Sequence, residues 1–345
     1  MKAAVLYKPR DIRIEERPIP KPGKGDVLLK IKNVGICRSD VHFYAQGRIG
    51  FFIIREPIVL GHECCGEIVD KGESVKGFEV GDRVVVEPGV PCGKCHYCRI
   101  GRYELCLNEK FMGSPPTDGA YQEYVSWPAD FVYKMPDEMT NEEGALIEPF
   151  AVGLTAIKMA GGIPSGESVS IIGGGTIGLS TLIAAKESGA GNIFVISRSK
   201  HKLELAEKLG ASAAISTTNE KLVEIVKGMT NGLGSYIVFD TVGTEETINL
   251  AFKLVRDGGR IHELGLSFGE YAKIPMINVA LRELVITGHN KYANIFQSAM
   301  KLASTRKLPL LKLLTHVLTL DDISKGMEMV ENGTDHVIKA QIKMG

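Results

Sequence analysis

Over the first 150 residues, hydrophobic positions come in short runs broken by Gly and Pro. Val27-Leu28-Leu29-Lys30-Ile31-Lys32-Asn33-Val34, Glu67-Ile68-Val69-Asp70 and Asp82-Arg83-Val84-Val85-Val86-Glu87-Pro88 read as strands, punctuated by Pro22-Gly23-Lys24-Gly25 and Lys71-Gly72-Glu73. Many short strands with such turns predict a compact β-barrel-like domain. The period then changes. Short apolar strands at Ser168–Gly173, Asn192–Ser197, Tyr236–Val242, Arg260–Leu266 and Leu284–Gly288 alternate with helical patterns at Thr176–Ser188, Lys200–Leu209, Glu220–Met229 and Glu245–Val255. This β-α-β-α rhythm predicts an α/β domain, a doubly wound parallel sheet with helices on both faces. A helix around Ile295–Ser304 and strands ending at Val337–Lys343 are expected to return to the first domain. The expected division is therefore 1–150, 151–292 and 293–345, with no internal repeat.

The run Ser168 to Ala185 carries no charge over eighteen residues, but Gly173-Gly174-Gly175-Thr176 interrupts it. It reads as a buried strand, a glycine turn and a buried helix rather than a membrane span. Lys+Arg and Asp+Glu are both 41, so the formal charge is +0. That balance gives no electrostatic reason to expect a nucleic-acid or membrane partner. The opening Met1–Lys8 is too short an apolar stretch for a secretory signal, which predicts a cytoplasmic protein with a small-molecule substrate.

Seven cysteines are present, an odd number, and disulfides are not expected in a reducing compartment. Cys92, Cys95, Cys98 and Cys106 fall in one loop over 91–107, spaced C-x2-C-x2-C-x7-C. Four thiolates so close match the closed tetrahedral shell of a structural zinc. Gly93 and Gly101 allow the loop to bend.

Gly173-Gly174-Gly175-Thr176-Ile177-Gly178 satisfies G-x-G-x-x-G between a strand and a helix. The first glycine permits the tight turn and the second lets the backbone approach a pyrophosphate. The third packs helix on strand, while the helix N-terminus offers free N–H groups to the anion. The next strand should end in an acid if it recognises a ribose 2′-hydroxyl; it ends instead in Ser197-Arg198-Ser199-Lys200, with Lys202 behind. Ser197 can donate to a 2′-phosphate and Arg198 can grip it or stack on adenine, so NADP(H) is expected over NAD(H).

Cys37 in Gly35-Ile36-Cys37-Arg38-Ser39-Asp40-Val41-His42, His62-Glu63 after Gly61, and Glu148 in an apolar stretch supply thiolate, imidazole and carboxylate. Such a set suits a catalytic zinc with one position open to water or substrate. A lone carboxylate at Glu148 would be costly to bury without a partner.

These residues, with Gly47-Arg48-Ile49-Gly50, Leu60-Gly61-His62-Glu63, Gly81-Asp82-Arg83-Val84, Pro115-Pro116-Thr117-Asp118-Gly119 and Glu143-Gly144-Ala145-Leu146-Ile147-Glu148-Pro149, resemble the zinc-containing medium-chain dehydrogenases, in particular their sorbitol (polyol) dehydrogenase branch. The resemblance covers essentially the whole chain. It implies a GroES-like catalytic domain, a Rossmann cofactor domain, two zinc ions per subunit and a homo-oligomer, a tetramer before a dimer. It implies that Cys37, His62 and Glu63 bind the catalytic zinc. Glu148 would hold the zinc-bound water or ligate when Glu63 withdraws, and which carboxylate is bound at rest stays open. Ser39 and His42 match the family's proton relay, with Glu148 as a second route. The resemblance adds Ile177, Lys202, Leu264-Gly265-Leu266 and His289-Asn290-Lys291 to the cofactor contacts, and Phe111, Glu148 and Tyr292 to the substrate pocket.

Gln46 stands where the polyol enzymes carry Tyr, and Lys291 where they carry Arg. Lys lacks the fixed bidentate fork of Arg, so the preferred substrate need not be sorbitol. The four-cysteine loop is that of bacterial relatives and alcohol dehydrogenases rather than of the animal polyol enzymes. The expected activity is zinc-dependent hydride transfer between NADP(H) and a secondary alcohol or ketone of a polyol or sugar derivative. Sugar acids, sugar phosphates and short secondary alcohols are alternative substrates, and a catalytically silent nucleotide-binding protein is the alternative of another class.

Overall fold

The strand Asp26–Gly35 is buried along most of its length and organises the first half of the protein. In the computed structural model, which describes residues 1–50, 52–266 and 271–345, the chain forms two compact units. One is Met1–Glu148 with Phe296–Gly345, and the other is Pro149–Ile295.

In the first unit, Asp26–Gly35 is the centre of a seven-stranded sheet. Glu63–Lys71 pairs antiparallel with it on one side and Lys339–Lys343 on the other, and Tyr124–Pro128 also pairs with it. The register sets Gly35 between Glu63 and Gln341, so three distant segments meet at one end of the strand. Only glycine fits there, because a Cβ on Gly35 would overlap the Glu63 carboxylate. The C-terminal fifty residues thus add Leu314–Thr319 and Lys339–Lys343 to this sheet. Val5, Leu29, Ile31, Val34, Ile68 and Val84, all 0% exposed, belong to the hydrophobic core of this unit. Each such side chain stabilises the fold by roughly 1.5–3 kcal/mol relative to exposure.

The cysteine loop is anchored to this core by Glu87, which is 1% exposed. Glu87 accepts hydrogen bonds from Tyr103 Oη at 2.6 Å and Tyr133 Oη at 2.7 Å, and its carbonyl accepts one from Trp127 Nε1 at 3.0 Å.

The second unit holds six parallel strands: β1 (Val169–Ile172), β2 (Ile193–Ser197), β3 (Ala213–Ser216), β4 (Ser235–Asp240), β5 (Val255–Glu263) and β6 (Val285–Gly288). Their order is β3-β2-β1-β4-β5-β6. β1 and β2 are buried at every position, as strands covered on both faces must be. The uncharged run resolves into β1, the glycine turn and the helix Thr176–Glu187. Within the run, Ser170 on β1 shares a hydrogen bond of 2.7 Å with Ser235 on β4.

Two strands of the second unit depart from the sequence pattern. β3 has only Ile215 as a strong strand former among Ala213, Ala214 and Ser216, and forms by pairing with β2. β5 starts at Val255, ahead of the expected Arg260. No helix among the described residues is long and apolar enough to cross a membrane.

Candidate active site and metal centres

Cys37 precedes the helix Arg38–Gln46, whose first turn carries Asp40. Asp40 is 1% exposed and organises the corner. Its carboxylate accepts from the Cys37 N–H at 3.0 Å, the Gly61 N–H at 3.1 Å and the Tyr121 hydroxyl at 3.0 Å. It also faces His62 Nδ1 at 3.4 Å. Burial works to raise this carboxyl; the His62 ring, the Cys37 N–H and the Tyr121 hydroxyl overcome it and hold it below the ordinary range. With Nδ1 turned to Asp40, His62 Nε2 is the nitrogen available to a metal.

Cys37, His62 and Glu63 converge, with ligand atoms all within 4.8 Å of one another. His62 and Glu63 are buried and Cys37 is half-buried. Thiolate, imidazole and carboxylate in one buried corner fit a zinc ion with a position to spare. Both Glu63 oxygens lie 2.7 Å from Lys339 Nζ, which also donates to the Ile36 carbonyl at 3.1 Å. Burial would strip Lys339 of its proton, but Glu63 and then Cys37 keep it charged.

Glu148 lies in the first turn of the helix Ile147–Met159, is 6% exposed and falls outside the converging trio. Its charge is felt at Lys339 and Cys64. The Phe111 ring packs at 5.3 Å from the His62 ring. On the Arg38–Gln46 helix, His42 is buried, Ser39 half-buried and Gln46 exposed.

The second cluster is the cysteine loop. Sγ–Sγ distances are 3.4 Å for Cys95–Cys98 and 4.0 Å for both Cys92–Cys98 and Cys95–Cys106. A tetrahedron of 2.3 Å Zn–S bonds requires about 3.8 Å between sulfurs. Backbone N–H groups of Lys94 and Cys95 lower the Cys92 thiol, and those of Cys98 and Leu107 bring Cys95 to about 6. Cys98 is pushed up to about 12 by burial and by its neighbours' sulfurs. Four thiolates this close need a cation's charge beside them, which a zinc held by the four sulfurs would supply.

In the second unit, the helix Thr176–Glu187 starts from Gly175 at the end of β1. Gly173 has φ 108°, and a Cβ on Gly178 would overlap the Gly173 carbonyl. A Cβ on Gly174 would meet Lys202 at 2.9 Å and Ser197 at 3.1 Å, whereas one on Gly175 would meet nothing within 4 Å. Open space at the helix N-terminus is the cradle a phosphate needs. Thr176 and Ile177 are half-buried in the first turn. Ser197 ends β2 buried, with Arg198 exposed beyond it and Lys202 half-buried. Leu264 and Gly265 are half-buried after β5, and Leu266 is 66% exposed. After β6, His289 and Lys291 are half-buried, Asn290 is exposed and Tyr292 is buried.

Asp40, Tyr121 and Lys339 escape a reading of the sequence. Lys339 had a signal, a lone charge in Val337-Ile338-Lys339-Ala340. Tyr121 had none, since only folding brings it to Asp40.

Both parts of the chain match known families: the Alcohol dehydrogenase GroES-like domain over residues 23–137 and the Zinc-binding dehydrogenase family over residues 176–305. A sorbitol dehydrogenase of Bacillus subtilis is 38% identical over 342 residues, covering 99% of this chain and 97% of that protein. The crystal structure of an Escherichia coli oxidoreductase/dehydrogenase of unknown specificity superposes with a TM-score of 0.95 at 37% identity, covering 100% and 99% of the two chains. A zinc-binding dehydrogenase from Sinorhizobium meliloti bound to NADP has a TM-score of 0.91 at 30% identity, covering 99% and 98%. An Escherichia coli alcohol dehydrogenase complexed with NADH has a TM-score of 0.91 at 29% identity, covering 99% of both chains. The protein is a zinc-dependent, NAD(P)-linked oxidoreductase acting on CH–OH groups. It belongs to the zinc-containing medium-chain dehydrogenases, with a GroES-like domain and a Rossmann-type domain.

Proposed function

We propose that this enzyme interconverts a secondary alcohol and a ketone of a polyol or sugar derivative, with NADP(H) as the preferred cofactor. The convergence of Cys37, His62 and Glu63 within 4.8 Å carries the reading. Cys37 and His62 hold the catalytic zinc, with Glu63 beside Lys339 and Glu148 as the carboxylates that ligate or hold water. When bound, zinc lowers the pKa of a coordinated hydroxyl and NADP takes the hydride from its carbon. The chain's own residues handle the proton. Burial and then Arg38 lower the His42 ring below its ordinary value, so it starts neutral and accepts the proton passed through Ser39. Glu148 gives a second route. The Phe111 ring, packed on His62, supplies an apolar wall, while Gln46, Lys291 and Tyr292 meet substrate hydroxyls.

Gly173, Gly175, Thr176, Ile177 and Gly178 take the pyrophosphate, Leu264–Leu266 and His289–Lys291 take further parts of the cofactor, and Ser197, Arg198 and Lys202 take the 2′-phosphate. The absence of an acid after β2 supports NADP, as does the NADP-bound relative; the NADH-bound relative is the counterweight. Exposed Ile277 and Leu281 on the helix Met276–Leu281, with exposed Val285 and Ile286 on β6, support a homo-oligomer.

The test is steady-state kinetics over polyols, sugar acids, sugar phosphates and short secondary alcohols with each cofactor. The expected result is the highest kcat/KM for a polyol with NADP, and a narrower cofactor gap in Arg198→Ala. A clear NAD preference overturns the cofactor assignment, and a sugar phosphate as best substrate overturns the substrate class.

A further inference from the structure

His262 sits inside the second unit at 0% exposure, on β5 between Ile261 and Glu263. Both its nitrogens are engaged. Nδ1 lies 2.7 Å from Thr287 Oγ1 on β6, and Nε2 lies 2.8 Å from His289 Nδ1, just past the end of β6. The two imidazole rings are 17° from parallel, and the Phe239 ring on β4 meets His262 edge-on at 5.8 Å. A neutral imidazole offers one donor and one acceptor, and a threonine hydroxyl can play either part, so the chain is satisfied throughout. Burial lowers both histidines to about 4, helped at His262 by the His289 ring, which keeps them neutral at ordinary pH.

A dinucleotide crosses a doubly wound sheet at the carboxyl ends of its strands, with its pyrophosphate at the first βα turn and its adenosine ribose over the second strand. Here β2 and β3 lie on one side of β1, and β4, β5 and β6 on the other. The nicotinamide half therefore falls on the β4–β6 side. β6 is three strands from β1, or roughly 14 Å at 4.8 Å per strand. The turn after β6 carries His289 and, at Lys291, a non-glycine residue at φ 53°. A turn of that kind keeps its shape only where its surroundings fix it.

We infer that His262 is a positioning residue for the cofactor: through Thr287 and His289 it fixes the Gly288–Lys291 turn against which the nicotinamide half binds. This rests on the cofactor reading above, though not on which of NAD or NADP is preferred. His262 touches neither substrate nor the reacting atoms, and acts through His289.

Two ligands of the zinc-loaded enzyme separate this role from general support of the fold: the reduced dinucleotide, and the same molecule truncated to ADP-ribose or its 2′-phosphate. His262→Leu is expected to raise the Kd of the whole dinucleotide about tenfold, the loss of one to two hydrogen bonds. The truncated ligand should bind within about twofold of wild type, since its contacts lie over β1 and β2. Thr287→Val, a milder change that serves should His262→Leu not fold, is expected to shift the dinucleotide alone by about threefold. Equal losses for both ligands, or no loss for either, overturn the inference. Failure of the wild-type enzyme to bind the truncated ligand at all would instead sink the cofactor reading beneath it.

Discussion

Lys339 and Glu63 are 276 residues apart in the chain and form a buried ion pair in which the ammonium meets both carboxylate oxygens at 2.7 Å. Their side chains are 3% and 1% exposed. The pair closes the sheet of the first unit, because the last strand must dock beside Asp26–Gly35 before Lys339 can reach Glu63. It also decides what Glu63 can do, since the carboxylate that faces Cys37 and His62 already shares its charge.

Removing the ammonium leaves a buried carboxylate uncompensated. Lys339→Met in metal-free protein should cost about 3–5 kcal/mol of stability, the usual result of breaking one side of a buried pair. Lys339→Arg should recover most of it. Urea midpoints of the two variants check this, and equal midpoints for wild type and Lys339→Met would show that the pair contributes nothing.

Asp40 acts on the metal through His62. Asp40→Asn keeps the shape but weakens the hold on Nδ1, and should lower zinc affinity at the Cys37 corner about 10–100-fold. A competition titration with a chromophoric chelator measures it. The loop zinc should be released at an unchanged chelator concentration.

The loop and the corner are separable. Cys98→Ser should reduce bound zinc from two ions per chain to one, one for each cluster. It should lower the melting temperature while the remaining zinc resists the chelator as before. That outcome would assign the loop zinc to stability and the corner zinc to turnover.

Stability should also fall toward both ends of the pH range. Burial and then Asp240 raise the Glu263 carboxyl from 4.5 to about 8. Between those values the folded chain keeps a proton that the unfolded chain gives up. This contribution is therefore complete below 4.5 and lost as pH rises through 8. His262 and His289 run the other way: lowered from 6.5 to about 4, they refuse protons that the unfolded chain accepts, so stability falls as pH drops across that window. Urea unfolding from pH 4 to 9 should show Glu263→Gln removing the fall in stability above pH 6.5 and steepening the rise between 4.5 and 6.5, where Glu263 opposes the histidines; an unchanged slope above 6.5 would mean Glu263 is ionised in the folded protein.

What could be read from sequence was local. The cysteine loop and the glycine turn announce themselves because their ligand atoms and close approaches come from residues a few positions apart. Glu148 was visible as a charge in an apolar run. Lys339 presents the same signal, but a single lysine among apolar residues has an easy surface explanation. Asp40, Tyr121 and the His262–His289 contact depend on register between strands that the sequence does not state. β3 went unseen because Ala213, Ala214 and Ser216 are poor strand formers that pairing alone holds in place. The resemblance to a family supplied roles for residues, whereas the structure supplied the partners that make those roles physically possible.

The most direct test of the account is an anomalous-scattering map at the zinc edge from crystals of active enzyme. It should show a peak at about 2.3 Å from the sulfur of Cys37 and about 2.0–2.1 Å from a His62 nitrogen, besides the peak in the cysteine loop. Density in the loop alone, with none between Cys37, His62 and Glu63 in crystals that turn over substrate, would contradict it.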